Sequence, residues 1–273
     1  MIRRSTLRSQ IASALRDEIL AGRLATGRPF TVKEIAEQYG VSATPVREAL
    51  VDLAAQGLLD IEQHRGFRVR EYTLQDYREM CDARRLVVDS LFRDDGPGPR
   101  SGADAGSDAG DGAGSEAGDG AGSDAGGAAG AGSSGGARTG PLSAVDPAAL
   151  ASVRRRADAA QRAARAGDLD VLIAYDLRFW RELSGLLGNS HICDFLDRLR
   201  VQCWVYAVPQ LRARPRLCGR LWAGHGALLD AVEAGDGAAA REIIASYDAH
   251  ALAQVEEAAG EVRGRPDEGP EGP

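Results

Sequence analysis

The chain has 273 residues, 44% of them hydrophobic, and a net charge of −7, which is enough apolar material for packed cores and too acidic for a chain that coats nucleic acid along its whole length. No run of about 18 apolar residues occurs, and the opening M-I-R-R-S-T-L-R lacks the apolar stretch of a secretion signal, so a membrane span is not expected and the cytoplasm is the expected location. Charge is uneven: residues 1–70 hold 11 Lys and Arg against 8 Asp and Glu, so the basic excess sits at the N-terminal end.

In chain order, Leu7, Ile11, Leu15 and Ile19 form a stripe at four-residue spacing that predicts a helix ending at Gly22. Thr31 and Glu34 then have the spacing of a capping box, opening V-K-E-I-A-E-Q-Y, which Gly40 stops. Ser42 stands where the next helix would be capped, and V-S-A-T-P-V-R-E-A-L runs on through Leu50 and Leu53 to Gly57. Pro45 falls in the first turn of that helix, where backbone N–H groups have no intrahelical partner, so it starts the helix and does not break it. The following L-L-D-I-E-Q-H-R-G-F-R-V-R alternates at period two about Arg65-Gly66 and predicts a β-hairpin.

Three helices and a hairpin make a winged helix-turn-helix, whose third helix lies in the DNA major groove. Ser42, Thr44 and Arg47 would present two hydroxyls and a guanidinium on one side of that helix, with Val46, Ala49, Leu50 and Leu53 inward. A guanidinium can fork onto guanine or clamp a phosphate. The alternative is a solvated face on which Arg47 pairs with Glu48 or Asp52. The hairpin adds His64, Arg65, Arg68 and Arg70 for phosphate or minor-groove contact.

From Leu7 to Arg70 the chain resembles the DNA-binding domain of the GntR family of bacterial regulators, through P-V-R-E-A-L, the following G-L-L and the wing glycine Gly66 in register. The resemblance implies DNA contacts from Lys33, Ser42, Thr44, Arg47, His64, Arg65 and Gly66. It also implies a departure: the family often has arginine after the capping serine, and here Ala43 stands there.

Beyond the wing, residues 94–140 collapse to Gly, Ala, Ser and Asp, with an octad G-S-D-A-G-D-G-A recurring from Gly106. Such a segment buries too little to offset its ordering entropy and is expected to be a disordered insert. The flanking helical segments resemble the all-helical FCD effector domain: D-A-R-R-L-V-V-D its first helix, D-L-D-V-L-I-A-Y-D-L-R-F-W its fourth, and H-G-A-L-L-D-A-V-E-A-G-D its last pair. The expected architecture is therefore mainly α: residues 1–72 a winged helix-turn-helix, 73–260 an antiparallel helical effector and dimerisation bundle interrupted by the insert, and 261–273 a disordered tail.

Many FCD domains hold a divalent metal through an Asp, a His four residues on, and two further His about 22 residues apart. On this mapping Asp176 and His225 are retained, whereas Trp180 and Tyr247 occupy the other two positions. Indole offers no lone pair and a phenol must lose a proton of pKa about 10, so no cofactor is expected. A bound cation would have only Asp176, His225 and His250 to hold it. The resemblance instead implies a small organic acid in a cavity lined by Asp176, Trp180, His225 and Tyr247, its carboxylate met by Arg84 or Arg85. The four cysteines lack C-x-x-C spacing and are expected to be reduced.

The function expected is a homodimeric DNA-binding regulator, a repressor by the family's commoner mode, tuned by a small carboxylate. The alternatives are a metal-dependent sensor or enzyme on the helical domain, or an effector-independent DNA-binding dimer. No nucleophile with its base, phosphate loop or nicotinamide fingerprint occurs, which argues against an enzyme.

Overall fold

The computed structural model describes residues 6–63, 65–91, 147–186 and 189–263. The Gly/Ala/Asp-rich insert, His64 and the last ten residues of the tail lie outside them.

The N-terminal unit is built from α1 (Leu7–Leu20), β1 (Pro29–Phe30), α2 (Val32–Tyr39), α3 (Ala43–Ala55), β2 (Leu59–Glu62) and β3 (Gly66–Val69). Local chemistry sets each start. Thr31 accepts from the Glu34 backbone N–H at 3.2 Å while the Glu34 carboxylate accepts from the Thr31 N–H at 2.6 Å, closing the capping box. Ser42 is the N-cap of α3 in extended conformation, although its hydroxyl makes no capping bond. Pro45 is thus the third helical residue, in the turn whose N–H groups are unpaired in any helix. The apolar faces of α1 (Ile11, Leu15, Ile19) and α3 (Val46, Ala49, Leu50, Leu53) are buried against one another.

The wing has a strand that periodicity does not show. Phe30 pairs with Phe67 and Pro29 with Arg68, giving a three-stranded antiparallel sheet in the order β1-β3-β2. A two-residue strand carries no alternation to detect. Gly66 makes the pairing possible: at φ 97° a Cβ there would lie 2.4 Å from the Phe30 carbonyl oxygen.

The helical unit consists of α4 (Leu74–Leu91), α5 (Pro147–Ala166), α6 (Leu169–Leu186), α7 (Ser190–Arg212), α8 (His225–Glu233) and α9 (Gly237–Arg263). The insert falls between α4 and α5. The segment likened to a fourth effector helix is the third of this unit among the described residues. Helix α7 is the hub, packing on α4, α6 and α9 and also reaching α1 of the winged helix. One apolar cluster accordingly runs from Leu15 and Leu53 through Tyr77 to Val201 and Val208.

Candidate functional site

Two surfaces concentrate the residues singled out by sequence. On the winged helix, Ser42, Thr44 and Arg47 are exposed at the start of α3, and Lys33 stands on α2 beside Glu37 at 3.8 Å. Lys33, Ala43 and Arg47 line one shallow groove between α2 and α3. Asp52, which could have neutralised Arg47, is instead ion-paired with Arg8 of α1. Arg47 makes no hydrogen bond or ion pair among the described residues, so its guanidinium is presented outward.

The wing is less cationic than its sequence suggests. Arg68 lies across the ladder from Asp60 and within 3.5 Å of it, with Glu62 at 3.3 Å. Arg70 covers the Tyr72 ring at 5.3 Å. Arg65 is exposed at the turn, and Gly66 owes its place to the Phe30 contact.

The second site is a cavity of about 60 Å³ between α4, α6, α7, α8 and α9. Asp176 is 1% exposed and its charge is met by three donors. Trp180 Nε1 and His225 Nε2 reach Oδ1 at 3.0 Å each, and Trp204 Nε1 reaches Oδ2 at 3.0 Å. Burial works against this carboxylate, but the His225 hydrogen bond, the nearby Arg200 guanidinium and the Trp204 N–H hold it below the ordinary carboxylate range. Around it Trp180 and Tyr247 lie 5.6 Å apart, Trp222 and Tyr247 4.8 Å, and Trp222 and His225 4.6 Å, forming an aromatic box.

Of the two candidate arginines on α4, Arg84 points inward and Arg85 outward, where it pairs with Asp82 at 3.3 Å. Arg84 lines the cavity, yet its charge is already taken by Asp248, and its guanidinium lies 4.9 Å from the Tyr247 ring centroid. His250 also reaches the cavity, but its Nε2 donates to the Arg220 carbonyl at 2.8 Å. Among the described residues no three His, Cys, Asp or Glu gather as a cation site. Burial raises the Tyr247 phenol far above its ordinary value, so it stays protonated and is a poor cation ligand.

Sequence reasoning missed Arg200, which is 3% exposed and lines the same cavity. The signal was present: Arg200 stands on the buried stripe Leu196, Arg200, Cys203, Ala207 and Leu211 of α7. It also missed the junction between the units. Gln202 of α7 donates to the Gln56 carbonyl at 2.7 Å, and Tyr72 donates to the Gly57 carbonyl at 2.5 Å, both at the C-terminal end of α3. Burial pushes the Tyr72 phenol up to about 12, so it remains a donor across the physiological range.

Comparison with known proteins decides the family. Residues 7–69 match the model of the bacterial regulatory proteins of the gntR family, and residues 142–267 match the FCD domain. The chain therefore carries a GntR-family domain followed by an FCD domain. It is 45% identical over 84 residues to a probable D-xylose utilization operon transcriptional repressor of Paenarthrobacter nicotinovorans, covering 31% of this chain and 37% of that protein. It is 36% identical over 84 residues to the HTH-type transcriptional repressor RspR of Escherichia coli (strain K12), with the same 31% and 37% coverage. The matched part is thus little more than a third of the length of either relative. The structure named E. coli McbR/YncC superposes with a TM-score of 0.63 at 20% identity, over 93% of this chain and 99% of that one, a likeness of fold.

Proposed function

We propose that this GntR-FCD chain is a cytoplasmic, homodimeric operator-binding repressor, with residues 1–72 reading DNA and residues 73–260 dimerising and binding a small organic acid. The observation that carries the DNA reading is Arg47: an exposed guanidinium at the start of α3, in one groove with Lys33, that makes no ion pair among the described residues. Such a group serves guanine recognition or phosphate clamping, with Lys33 and Arg65 adding phosphate contacts. The repressor names of the two relatives support the sign of regulation. The Asp176, Trp180, His225 and Tyr247 box supports the ligand site, and α7 supports the coupling. Arg200 and Trp204 face the cavity, while Gln202 between them holds the C-terminal end of the recognition helix.

A ligand can shift operator affinity only by its differential affinity for two arrangements of the protein, typically about 1 to 3 kcal/mol. Re-aiming α7 by ligand contact supplies such a difference through the Gln202–Gln56 bond. The test is a mobility-shift assay on DNA upstream of the protein's own gene. A complex that survives unrelated competitor DNA and weakens as salt rises is expected. A complex competed equally by any DNA would refute an operator-specific regulator.

A further inference from the structure

The charges around the cavity do not all find partners. Arg84 is paired with Asp248, and Asp176 accepts from two indoles and an imidazole. Arg200 makes no direct ion pair among the described residues, and the Asp176 and Asp248 carboxylates act on it only from further off. Its Nη1 donates to the Tyr247 hydroxyl at 3.3 Å, and its guanidinium lies 3.9 Å over the Trp180 ring and 5.6 Å from the Tyr247 ring. Buried polar atoms without a hydrogen-bond partner among the described residues stand beside it: His225 Nδ1, Arg84 Nε and Asp248 Oδ2. A buried guanidinium is costly unless an anion meets it, and the aromatic faces compensate only part of that cost. The remaining walls are apolar, with Leu172, Ala207, Leu211, Leu221 and Val255 among them.

We infer that Arg200 anchors the carboxylate of a short, apolar monocarboxylate of three or four carbons, held without a metal ion. This rests on the effector reading of the cavity given above and names its ligand class. One unpaired guanidinium accommodates one carboxylate; a second would be buried opposite Asp176 without a partner. His225 Nδ1 offers an acceptor for at most one hydroxyl, and further hydroxyl groups would face the apolar walls and lose their hydrogen bonds to water. Size sets the upper limit, because a cavity of about 60 Å³ holds some four to six water-sized groups at about 10–15 Å³ each. A carboxylate and a few carbons fill that space.

The experiment is calorimetric titration of the full chain in EDTA with propionate, butyrate and isobutyrate, against 1-butanol, succinate and gluconate. At least one of the three monocarboxylates is expected to bind about tenfold or more tighter than each control. Arg200→Met should abolish that binding, and Arg200→Lys should keep a weakened remnant, because the charge stays while the two-pronged donor geometry is lost. Unchanged affinity in Arg200→Met, preference for succinate or gluconate, no binding by any of the three acids, or binding that requires metal would each overturn the assignment. Operator affinity measured with and without the bound acid separates the two claims. Arg200-dependent binding that leaves DNA affinity unchanged keeps the site and removes its effector role. DNA release by another ligand, independent of Arg200, keeps an effector and removes this site.

Discussion

Asp176 shows how one residue can be both a structural necessity and a functional boundary. Its two oxygens accept three N–H donors that would otherwise be buried without partners, from Trp180, Trp204 and His225. Asp176→Asn turns one acceptor into a donor facing donors, and should cost about 1–3 kcal/mol at neutral pH, read as a lowered melting temperature. The pH dependence has a definite sign. The folded carboxylate is held below its ordinary value, so its contribution is complete above about pH 4 and is lost as pH falls through the depressed folded value. The wild-type advantage over Asp176→Asn should therefore be constant from pH 5 to 8 and shrink below about pH 4 in acid-denaturation curves. Gly66 makes a sharper case in the wing. Gly66→Ala would place a Cβ 2.4 Å from the Phe30 carbonyl oxygen at φ 97°, and should cost about 1–3 kcal/mol by urea denaturation. At this scale the sequence was read unevenly. Asp176, Trp180, His225 and Tyr247 were legible through family spacing, and the structure brings them together. Arg200 was overlooked although it stands on the apolar stripe of α7 from Leu196 to Leu211, because an arginine among apolar residues reads first as a solvated group. For the same reason the choice between Arg84 and Arg85 needed the packing of α4.

Elements defined by local chemistry were the most legible. The capping box of α2, the Ser42 start of α3 and its passage through Pro45 follow from a few adjacent residues, and all three stand in the structure. What needed tertiary contact escaped: β1 exists only because β3 accepts it, and the Gln202–Gln56 bond joins residues 146 positions apart. That bond carries the element-scale prediction. Helix α7 offers Arg200 and Trp204 to the cavity and Gln202 to the α3 terminus, so Gln202→Ala should leave ligand affinity within about twofold while reducing the ligand-dependent change in operator affinity. Titrating a bound acid against a labelled operator checks it. A full ligand response in Gln202→Ala would place the coupling elsewhere.

At the scale of the whole molecule, the acidic net charge and the basic N-terminal end fit the proposal that the protein meets DNA with one face. The described wing contributes less to that face than its arginines suggest, because Arg68 is held by Asp60 and Glu62. Operator binding should therefore depend more on α3 than on Arg68, and Arg68→Ala should alter DNA affinity less than Arg47→Ala. A dimer on a pseudo-palindromic site is expected, with half-site centres about 34–36 Å apart or a multiple of that distance. Ala43 stands exposed where the family often places arginine, so operator preference at the base it would meet should be relaxed. The central claim is that the exposed, unpaired Arg47 reads operator DNA. Its most direct test is fluorescence anisotropy of wild type and Arg47→Ala on the upstream DNA fragment, with circular dichroism and melting temperature matched. The account predicts a loss of about 1–3 kcal/mol, roughly fivefold to more than a hundredfold in affinity, for a variant as stable as the wild type. Equal affinity of the two proteins for that DNA would contradict it.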